Sequence, residues 1–251
     1  MKKSTLISLI VLLTLLLTQL ACSQTTIPVP TLTRGSGSLV SEERPVSGFD
    51  SITINGAGEV VINQGTTESL KIEAEDNIIS NITSEVEDGT LVIGYDKELW
   101  DKKILPSKTM RYFITVIDLV KVTINGAAEL NNDSLKTGSF DLKINGAGDL
   151  EFNNLVADQL TVEIAGGAGL KAVGEVTSQV VVINGAGFYR ADELKSSQAE
   201  ITFNGAGSAF VWATDTLKMT INGAGTINYF GSPQVTQTII GLGSIKHMED
   251  K

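Results

Sequence analysis

The apolar residues of this chain alternate with polar ones over short stretches, and this alternation recurs along most of its length. The positions expected to point inward are Phe140, Leu142, Ile144, Leu160, Val162, Ile164, Val181, Ile183, Ala199, Ile201, Phe203, Leu217, Met219 and Ile221. A period of two that is rich in Val, Ile, Thr and Phe is typical of half-buried strands. Because no stretch in this region has the length or period of a crossover helix, the pattern predicts an all-β domain and disfavours a βαβ fold.

Each alternating stretch leads into the tetrapeptide Asn-Gly-Ala-Gly or a degenerate form of it. Complete copies begin at Asn55, Asn145, Asn184, Asn204 and Asn222, and degenerate copies begin at Asn125, Ala165 and Ile240. From Asn125 onward the steps are 20, 20, 19, 20, 18 and 18 residues. A repeat of about 20 residues predicts a parallel β-solenoid, in which each coil buries its apolar side chains against its neighbours. A second short strand follows each motif, so we expect stacked parallel strands about 4.8 Å apart.

The motif itself predicts a corner between two strands. Glycine tolerates positive φ and allows another backbone to approach closely. Asparagines at the same place in successive coils can bond their amides to one another, so we expect a ladder. Its members are Asn55, Asn125, Asn145, Asn184, Asn204 and Asn222. The copy at Ala165 has one extra residue, and a bulge there would return Leu170 and Ala172 to the interior.

The 70-residue step from Asn55 to Asn125 indicates an insertion near the N-terminal end of the repeats. Residues 82–86 and 91–95 flank Glu87-Asp88-Gly89-Thr90, which is a hairpin turn signal. Residues 70–72 and 110–116 read as further strands, and residues 100–108 as a loop.

The N-terminus has the features of an export signal. Two lysines precede a short apolar stretch that ends before Cys22, the single cysteine of the chain. We therefore expect a lipoprotein signal peptide at 1–21, lipidation of Cys22, a flexible tether at 22–46 and a folded domain at 47–248. Ordinary cleavage nearby, which would leave a secreted protein with a free thiol, is the alternative.

The charge of the chain limits its partners. It has 29 Asp and Glu against 19 Lys and Arg, a net charge of −10, and removal of residues 1–21 would take away two more lysines. An acidic surface disfavours nucleic acid and anionic lipid. Contact with a membrane would then depend on the acyl chains at Cys22.

The order of distinct segments along the domain is specific. The informative segments are residues 48–52, 54–60, 64–65, 70–77, 87–94 and the repeats after Asn125. Together they resemble the head GIN domain family, described as auto-transporter adhesins of bacterial cell envelopes. The resemblance implies a right-handed parallel β-helix-like fold without a recognised catalytic site.

The chain has few side chains suited to acid-base or nucleophilic catalysis, and we predict neither a catalytic residue nor a cofactor. His247 is the single histidine, and the Gly-rich motifs lack the Gly-Lys-Ser/Thr sequence and the helix of a phosphate loop. One set of carboxylates stands out, because Glu59, Glu129 and Asp149 occupy the same place after their corners. Stacked about 5 Å apart, they could hold a cation or serve a glycosidase; a solvated acidic surface is the alternative.

Aromatic residues form the other candidate site. Phe188 and Phe210 are expected to point outward from neighbouring coils, and Trp100 lies in a loop that also carries Lys102, Lys103 and Lys108. Such groups could stack on sugar rings or contact a partner protein. Burial in the last coils and a solvated charged loop are the alternatives.

These observations favour an exported, lipid-anchored protein that presents an adhesin-like surface at the cell envelope and is not an enzyme. Its partners would be an envelope or host glycan or protein. The competing hypotheses are a carbohydrate-active enzyme of the lyase or hydrolase type and a structural spacer without a ligand.

Overall fold

The structure is a computed structural model that describes residues 33–96 and 104–249. Within these ranges the chain is all-β, and the only helical segment is a single 3-10 turn, Ile79–Asn81. The predicted signal peptide, Cys22, Trp100, Lys102 and Lys103 lie outside the described residues. No helix in the described ranges is long and apolar enough to span a bilayer.

Fourteen strands follow one another along the described chain. They are β1 (Thr33–Arg34), β2 (Leu39–Arg44), β3 (Ser51–Gln64), β4 (Ser69–Glu75), β5 (Ile82–Glu87), β6 (Thr90–Tyr95), β7 (Ile104–Leu105), β8 (Arg111–Val116), β9 (Lys121–Asn132), β10 (Leu135–Ile183), β11 (Ala186–Phe203), β12 (Ala206–Phe230), β13 (Gln234–Gly241) and β14 (Ser244–His247). The longest of them, β10 to β12, each contain more than one side of the repeat.

Twelve of the strands form one open, mixed sheet. Its main path runs β13-β12-β11-β10-β9-β3-β8-β4-β2; β14 joins β12, β6 joins β3 and β5 joins β6, while β1 and β7 pair separately. The pairs β2–β4, β4–β8 and β5–β6 are antiparallel and the others are parallel. The sheet is therefore mixed: the repeats pair in parallel, the predicted hairpin β5–β6 is antiparallel, and β4 adds two antiparallel pairs that the sequence analysis did not predict.

The repeats pair in parallel, with local register shifts after Lys171 and between Ala191 and Gln198. Ile124 pairs with Ile144, Ile183 with Phe203, and Phe203 with Ile221. All fourteen apolar positions predicted to point inward are buried, so the assignment from the alternation is confirmed. Because equivalent positions face the same interior in every copy, one continuous apolar core forms along the stack.

The copy with the extra residue also follows its prediction. Leu170 and Ala172 are buried, whereas Lys171 between them is half-exposed. The pairing of β10 with β11 becomes irregular between Lys171 and Val173. This irregularity follows Leu170 along the strand, so the bulge expected between Ala165 and Leu170 stays a prediction.

The insertion covers the first repeat. Its hairpin is confirmed as β5 and β6, and the turn between them places Asp88 at φ 48° and Gly89 at φ 75°, as a two-residue hairpin turn requires. The strand expected at 110–116 is confirmed as β8. Strand β3 has β9 on one side and both β6 and β8 on the other, so the insertion supplies the neighbours that a preceding coil would have supplied.

Two predicted boundaries are wrong. Residues 33–46, expected to belong to the tether, contain β1 and β2, and β2 pairs with β4. The loop expected at 100–108 contains β7, which pairs with β1. Both segments are short and find their partners far along the chain, so no local alternation marks them as strands.

Candidate binding face

The glycine corners bring successive coils into close contact. A Cβ at Gly146 would lie 1.9 Å from the carbonyl oxygen of Gly126, and one at Gly166 would lie 2.0 Å from that of Gly146. The same close approach to the preceding corner recurs at Gly185, Gly205, Gly223 and Gly241. These contacts are with backbone, which cannot move aside, so a side chain at these positions is excluded by space.

The asparagines that precede the glycines are bonded to one another. Asn125 Nδ2 donates to Asn55 Oδ1 over 2.8 Å, and Asn145 donates to Asn125 over 2.8 Å. After the interruption at Ala165, Asn204 donates to Asn184 and Asn222 donates to Asn204, over 2.8 and 2.9 Å. The two groups of three are exposed at the corner. Their mutual bonds give them a structural explanation that requires no ligand.

The strand segment after each corner presents two outward rows of side chains. The first row, here called row one, runs Glu59, Glu129, Asp149, Gly169, Phe188 and Ser208. The second, row two, lies two residues further along each strand and runs Val61, Asn131, Glu151, Lys171, Arg190 and Phe210. Along both rows the chemistry changes from acidic to aromatic and basic.

The acidic residues of row one differ in their contacts, since Glu59 is bonded to an arginine and Glu129 is exposed. Glu59 Oε2 accepts a hydrogen bond from Arg111 Nε over 2.9 Å, and Arg111 Nη1 also donates to Glu73 over 3.1 Å. These hydrogen bonds, with Glu59 first, raise the pKa of the Arg111 guanidinium above its ordinary value. Glu129 pairs in register with Glu59 and is exposed. Within residues 33–96 and 104–249 no three carboxylates, histidines or cysteines are grouped so that they could hold a metal ion.

The aromatic part of row one depends on a glycine. Phe188 is 46% exposed, and its register partner in β10 is Gly169. A Cβ at Gly169 would lie 2.1 Å from Phe188 Cζ and 2.6 Å from Asp149 Oδ1. The ring tip and the carboxylate oxygen thus close over the glycine from opposite sides. The absence of a side chain at Gly169 therefore leaves the space that the Phe188 ring occupies on the strand surface.

Row two places two cations beside the phenylalanines. Lys171 pairs in register with Arg190, and Arg190 with Phe210. Lys171 Nζ lies 3.6 Å from Glu151 Oε1. In the described part of the chain no carboxylate lies within 4 Å of the exposed Arg190 side chain, in contrast to the bases paired across coils, Lys121, Lys143, Lys171 and Lys218.

A groove of about 400 Å³ lies along row two, and Lys171, Arg190 and Phe210 line it together with Asp192 and Glu193. We call Lys171, Phe188, Arg190 and Phe210 the Phe–Arg patch. A second groove, of about 650 Å³, runs past Lys136, Val156 and Glu175, but none of its described lining residues is aromatic. Within the described surface, the Phe–Arg patch therefore combines the exposed ring of Phe188, the half-buried ring of Phe210, a cation without an ion pair in that range and a concave wall.

The sequence singled out the two phenylalanines but missed their neighbours. Lys171 and Arg190 gave no signal because they are isolated in sequence, and Gly169 looked like one more corner glycine. Trp100 lies outside the described residues, so its expected place beside the phenylalanines stays a prediction. Tyr189, next to Phe188, is fully buried and donates to Gln179 Oε1. Burial raises the pKa of its phenol.

Two further polar groups have structural partners. Glu75 is buried and accepts hydrogen bonds from the backbone N–H groups of Gly37, Ser107 and Lys108 and from the Ser107 hydroxyl. Burial alone would raise the pKa of this carboxyl, but the hydrogen bonds, chiefly those from Ser107, lower it below its ordinary value. His247 stacks on Tyr229 with ring centroids 4.7 Å apart, and its Nε2 lies 2.8 Å from the Gly231 carbonyl oxygen.

Three comparisons place the chain among known proteins. An adhesin described as putative from Bacteroides fragilis NCTC 9343 has a similar solved structure, with a TM-score of 0.76 and 26% sequence identity over 86% of this chain and 99% of that one. A "putative lipid binding protein" from Parabacteroides distasonis ATCC 8503 has a TM-score of 0.71 and 21% identity over 87% of this chain and 100% of that one, which shows the shared fold alone. The comparison with curated proteins found no match.

The family comparison covers most of the domain. Residues 48–233 match the family described as "Putative auto-transporter adhesin, head GIN domain". This range contains every strand from β3 to β12 and the whole Phe–Arg patch. The chain belongs to the head GIN domain family.

Proposed function

We propose that this protein is a lipid-anchored, non-enzymatic binding protein of the cell envelope, and that it binds carbohydrate through the Phe–Arg patch. The observation that carries the proposal is the exposure of Phe188, which is held on a rigid strand beside Arg190. An exposed aromatic ring beside a second ring, a cation and a groove is the kind of surface that receives a ligand.

Sugar rings suit this chemistry. The C–H face of a pyranose stacks on an aromatic ring, and Phe188 and Phe210 belong to adjacent coils. A guanidinium without a carboxylate partner has donors available for hydroxyl or carboxylate oxygens of the same sugar. Asp192 and Glu193 line the wall of the same groove.

The architecture supports a display role. We propose that the parallel stack from β3 to β13 is a β-solenoid, because equivalent residues pair between β9 and β10, β10 and β11, β11 and β12, and β12 and β13. At the step from Asn145 to Ala165, which lies within β10, the corner glycines Gly146 and Gly166 make the same close backbone approach as the other corners. Lipidation of Cys22 would attach this stack to a membrane, with the described domain outside the cytoplasm. The adhesin from Bacteroides fragilis, 26% identical, supports a role in binding.

Two of the groups that an enzyme could use are held in other contacts, whereas Glu129 and Asp149 are exposed side chains of row one. The Glu59 carboxylate is bonded to Arg111, and the His247 ring is stacked on Tyr229 and bonded to the Gly231 carbonyl oxygen. A pair of carboxylates free to act as acid and nucleophile is what a retaining glycosidase requires. We propose binding without turnover.

A glycan array probed with the purified protein tests the proposal, with mass spectrometry of the released material to detect cleavage. We expect a defined set of glycans to bind, and Phe188→Ala or Arg190→Ala to lower the affinity at least tenfold. The matched control is Phe113→Ala, since Phe113 is an outward phenylalanine on β8 whose ring lies 4.4 Å from Lys71 Nζ.

The outcomes separate the competing functions. Unchanged binding by Phe188→Ala would contradict the patch as the site. Products of cleavage would favour the carbohydrate-active enzyme. A protein that binds no glycan and no envelope extract would be a spacer.

A further inference from the structure

The two ends of the sheet are protected very differently. One edge is β2, whose sequence Leu-Val-Ser-Glu-Glu-Arg includes three charged residues. The other edge is β13, eight residues from Gln234 to Gly241 without a charge or a proline. Natural sheets normally protect an exposed edge with charges, prolines or a covering segment, because its free N–H and C=O groups attract another strand.

Apolar side chains accompany the unprotected edge. Five of the eleven large hydrophobic residues that are exposed in the described ranges lie between positions 235 and 248. They are Val235, Ile239, Ile240, Leu242 and Met248, and Leu242 is 91% exposed. Val235 and Ile239 continue the inward rows of Leu217 and Ile221, so they are core positions with a neighbour on one side only.

We propose that β13 pairs with β13 of a second copy of this chain, antiparallel about a two-fold axis, so that the protein is a dimer joined edge to edge. The backbone of β13 supplies hydrogen bonds to its symmetry mate, and Ile239, Ile240 and Leu242 of the two copies pack beside the new ladder. This contact is independent of the proposed carbohydrate site, because the Phe–Arg patch lies on earlier coils.

Charge selects a second copy as the occupant. The chain is acidic overall, with a net charge of −10, so two copies repel one another over most of their surfaces. The β13 edge is a place where they can meet without bringing like charges together. Head-to-tail stacking would instead bring this apolar edge against β2, where the Glu42–Arg44 ion pair and the Glu43 carboxylate would lose water against an uncharged strand. A two-fold contact also closes, whereas head-to-tail contacts would continue into fibres.

Sedimentation velocity of the full chain, in detergent whose micelles are matched in density to the solvent, tests the proposal. We expect a dimer at micromolar concentration. The variant Thr236→Lys with Thr238→Lys adds two charges to exposed positions of the edge and should raise the dissociation constant of the dimer at least tenfold. The matched control is Thr202→Lys with Thr220→Lys, since these threonines occupy the same outward row as Thr238 within the stack.

Hydrogen exchange provides a second measurement that does not depend on the variants. Exchange of the amides of residues 234–241 should slow as the protein concentration rises, while the amides of β11 should be unaffected. A protein that stays monomeric would overturn the proposal and leave the edge to another protein, a lipid surface or a further segment. An open series of larger species, or a dimer that persists in the edge variant, would also overturn it.

Discussion

Gly169 and Phe188 are register partners on adjacent strands, and the ring of Phe188 occupies the space that a side chain at position 169 would fill. The glycine is therefore needed for the position of a neighbouring ring and not for an unusual φ. Asp149 closes on the same space from the coil before. A glycine, a phenylalanine and an aspartate from three successive coils together define one surface feature.

The first prediction concerns this contact. Gly169→Ala should push the Phe188 ring off the strand surface and lower glycan affinity as much as Phe188→Ala does. The cost in stability should be about 0.5–1.5 kcal/mol, the cost of a displaced rotamer, because the clash is with the end of a flexible side chain. Isothermal titration and thermal melting measure the two effects. Unchanged affinity would mean that the ring position is irrelevant to binding.

The second prediction is the contrasting case. Gly146→Ala places a Cβ 1.9 Å from the backbone carbonyl oxygen of Gly126, and neither backbone can move without shifting its own coil. We expect destabilisation of about 3 kcal/mol or more, at or above the upper end of the usual cost of overpacking. Urea unfolding gives the number. The control is Ala147→Ser on the exposed neighbouring residue, which should change stability by less than about 0.5 kcal/mol.

The third prediction concerns the asparagines. Asn125 donates one side-chain bond and accepts another, whereas Asn145 only donates, so Asn125→Ala should cost about twice as much as Asn145→Ala. With about 0.5–1.5 kcal/mol for each bond, the difference can be measured by urea unfolding.

The interruption at Ala165 offers a gain of stability. Ala165→Asn should join the two groups of three asparagines into one ladder and raise the free energy of unfolding by about 0.5–1.5 kcal/mol for each new hydrogen bond. Ala147→Asn, whose side chain lies outside the ladder, should not raise it. Equal losses of unfolding free energy from Asn125→Ala and Asn145→Ala, with no increase from Ala165→Asn, would contradict a stabilising asparagine ladder.

The fourth prediction is a pH dependence that comes from Glu75. Its pKa is lower in the folded protein than its ordinary value, so the carboxylate stabilises the fold above the ordinary pKa. This stabilisation is lost as the pH falls through the lowered, folded-state pKa, when the proton displaces the hydrogen bonds from Gly37 and Ser107.

Glu75→Gln should therefore lower stability at pH 7 by about 1.5–3 kcal/mol, the range for hydrogen bonds to a charged group. The difference in stability between Glu75→Gln and the wild type should decrease as the pH falls below the ordinary pKa of a glutamate. Thermal melting between pH 7 and pH 3 measures it. Glu175→Gln, on an exposed side chain, is the control and should follow the wild type throughout.

The fifth prediction concerns attachment. If Cys22 is acylated, the protein should fractionate with membranes and incorporate a palmitate analogue. Cys22→Ala should abolish labelling and either release the protein or leave the signal uncleaved. Wild-type protein recovered unlabelled from the medium would replace the lipid anchor with ordinary secretion.

The sequence by itself determined the repeating part of the fold. The alternation identified the strands before the corners and fourteen of their inward positions, and the period predicted which residues pair, such as Ile124 with Ile144. This was possible because each coil contacts only the next, so structure in the stack follows from local pattern and constant spacing. The hairpin turn at Asp88-Gly89 was predictable for the same reason, since its backbone requirement is local.

Only the tertiary structure decided the contacts that do not repeat. Glu59 meets Arg111 because β8 pairs with β3 in parallel, and Glu75 at the end of β4 meets Ser107 in the segment before β8. Strand β2 was mistaken for tether because its partner, β4, lies about thirty residues further along. Such pairs have no period and no local signal, since side chains distant in sequence become neighbours only when the whole domain packs. The same holds for Arg190 beside Phe210, where the repeat determines which positions are adjacent but not which chemistry occupies them.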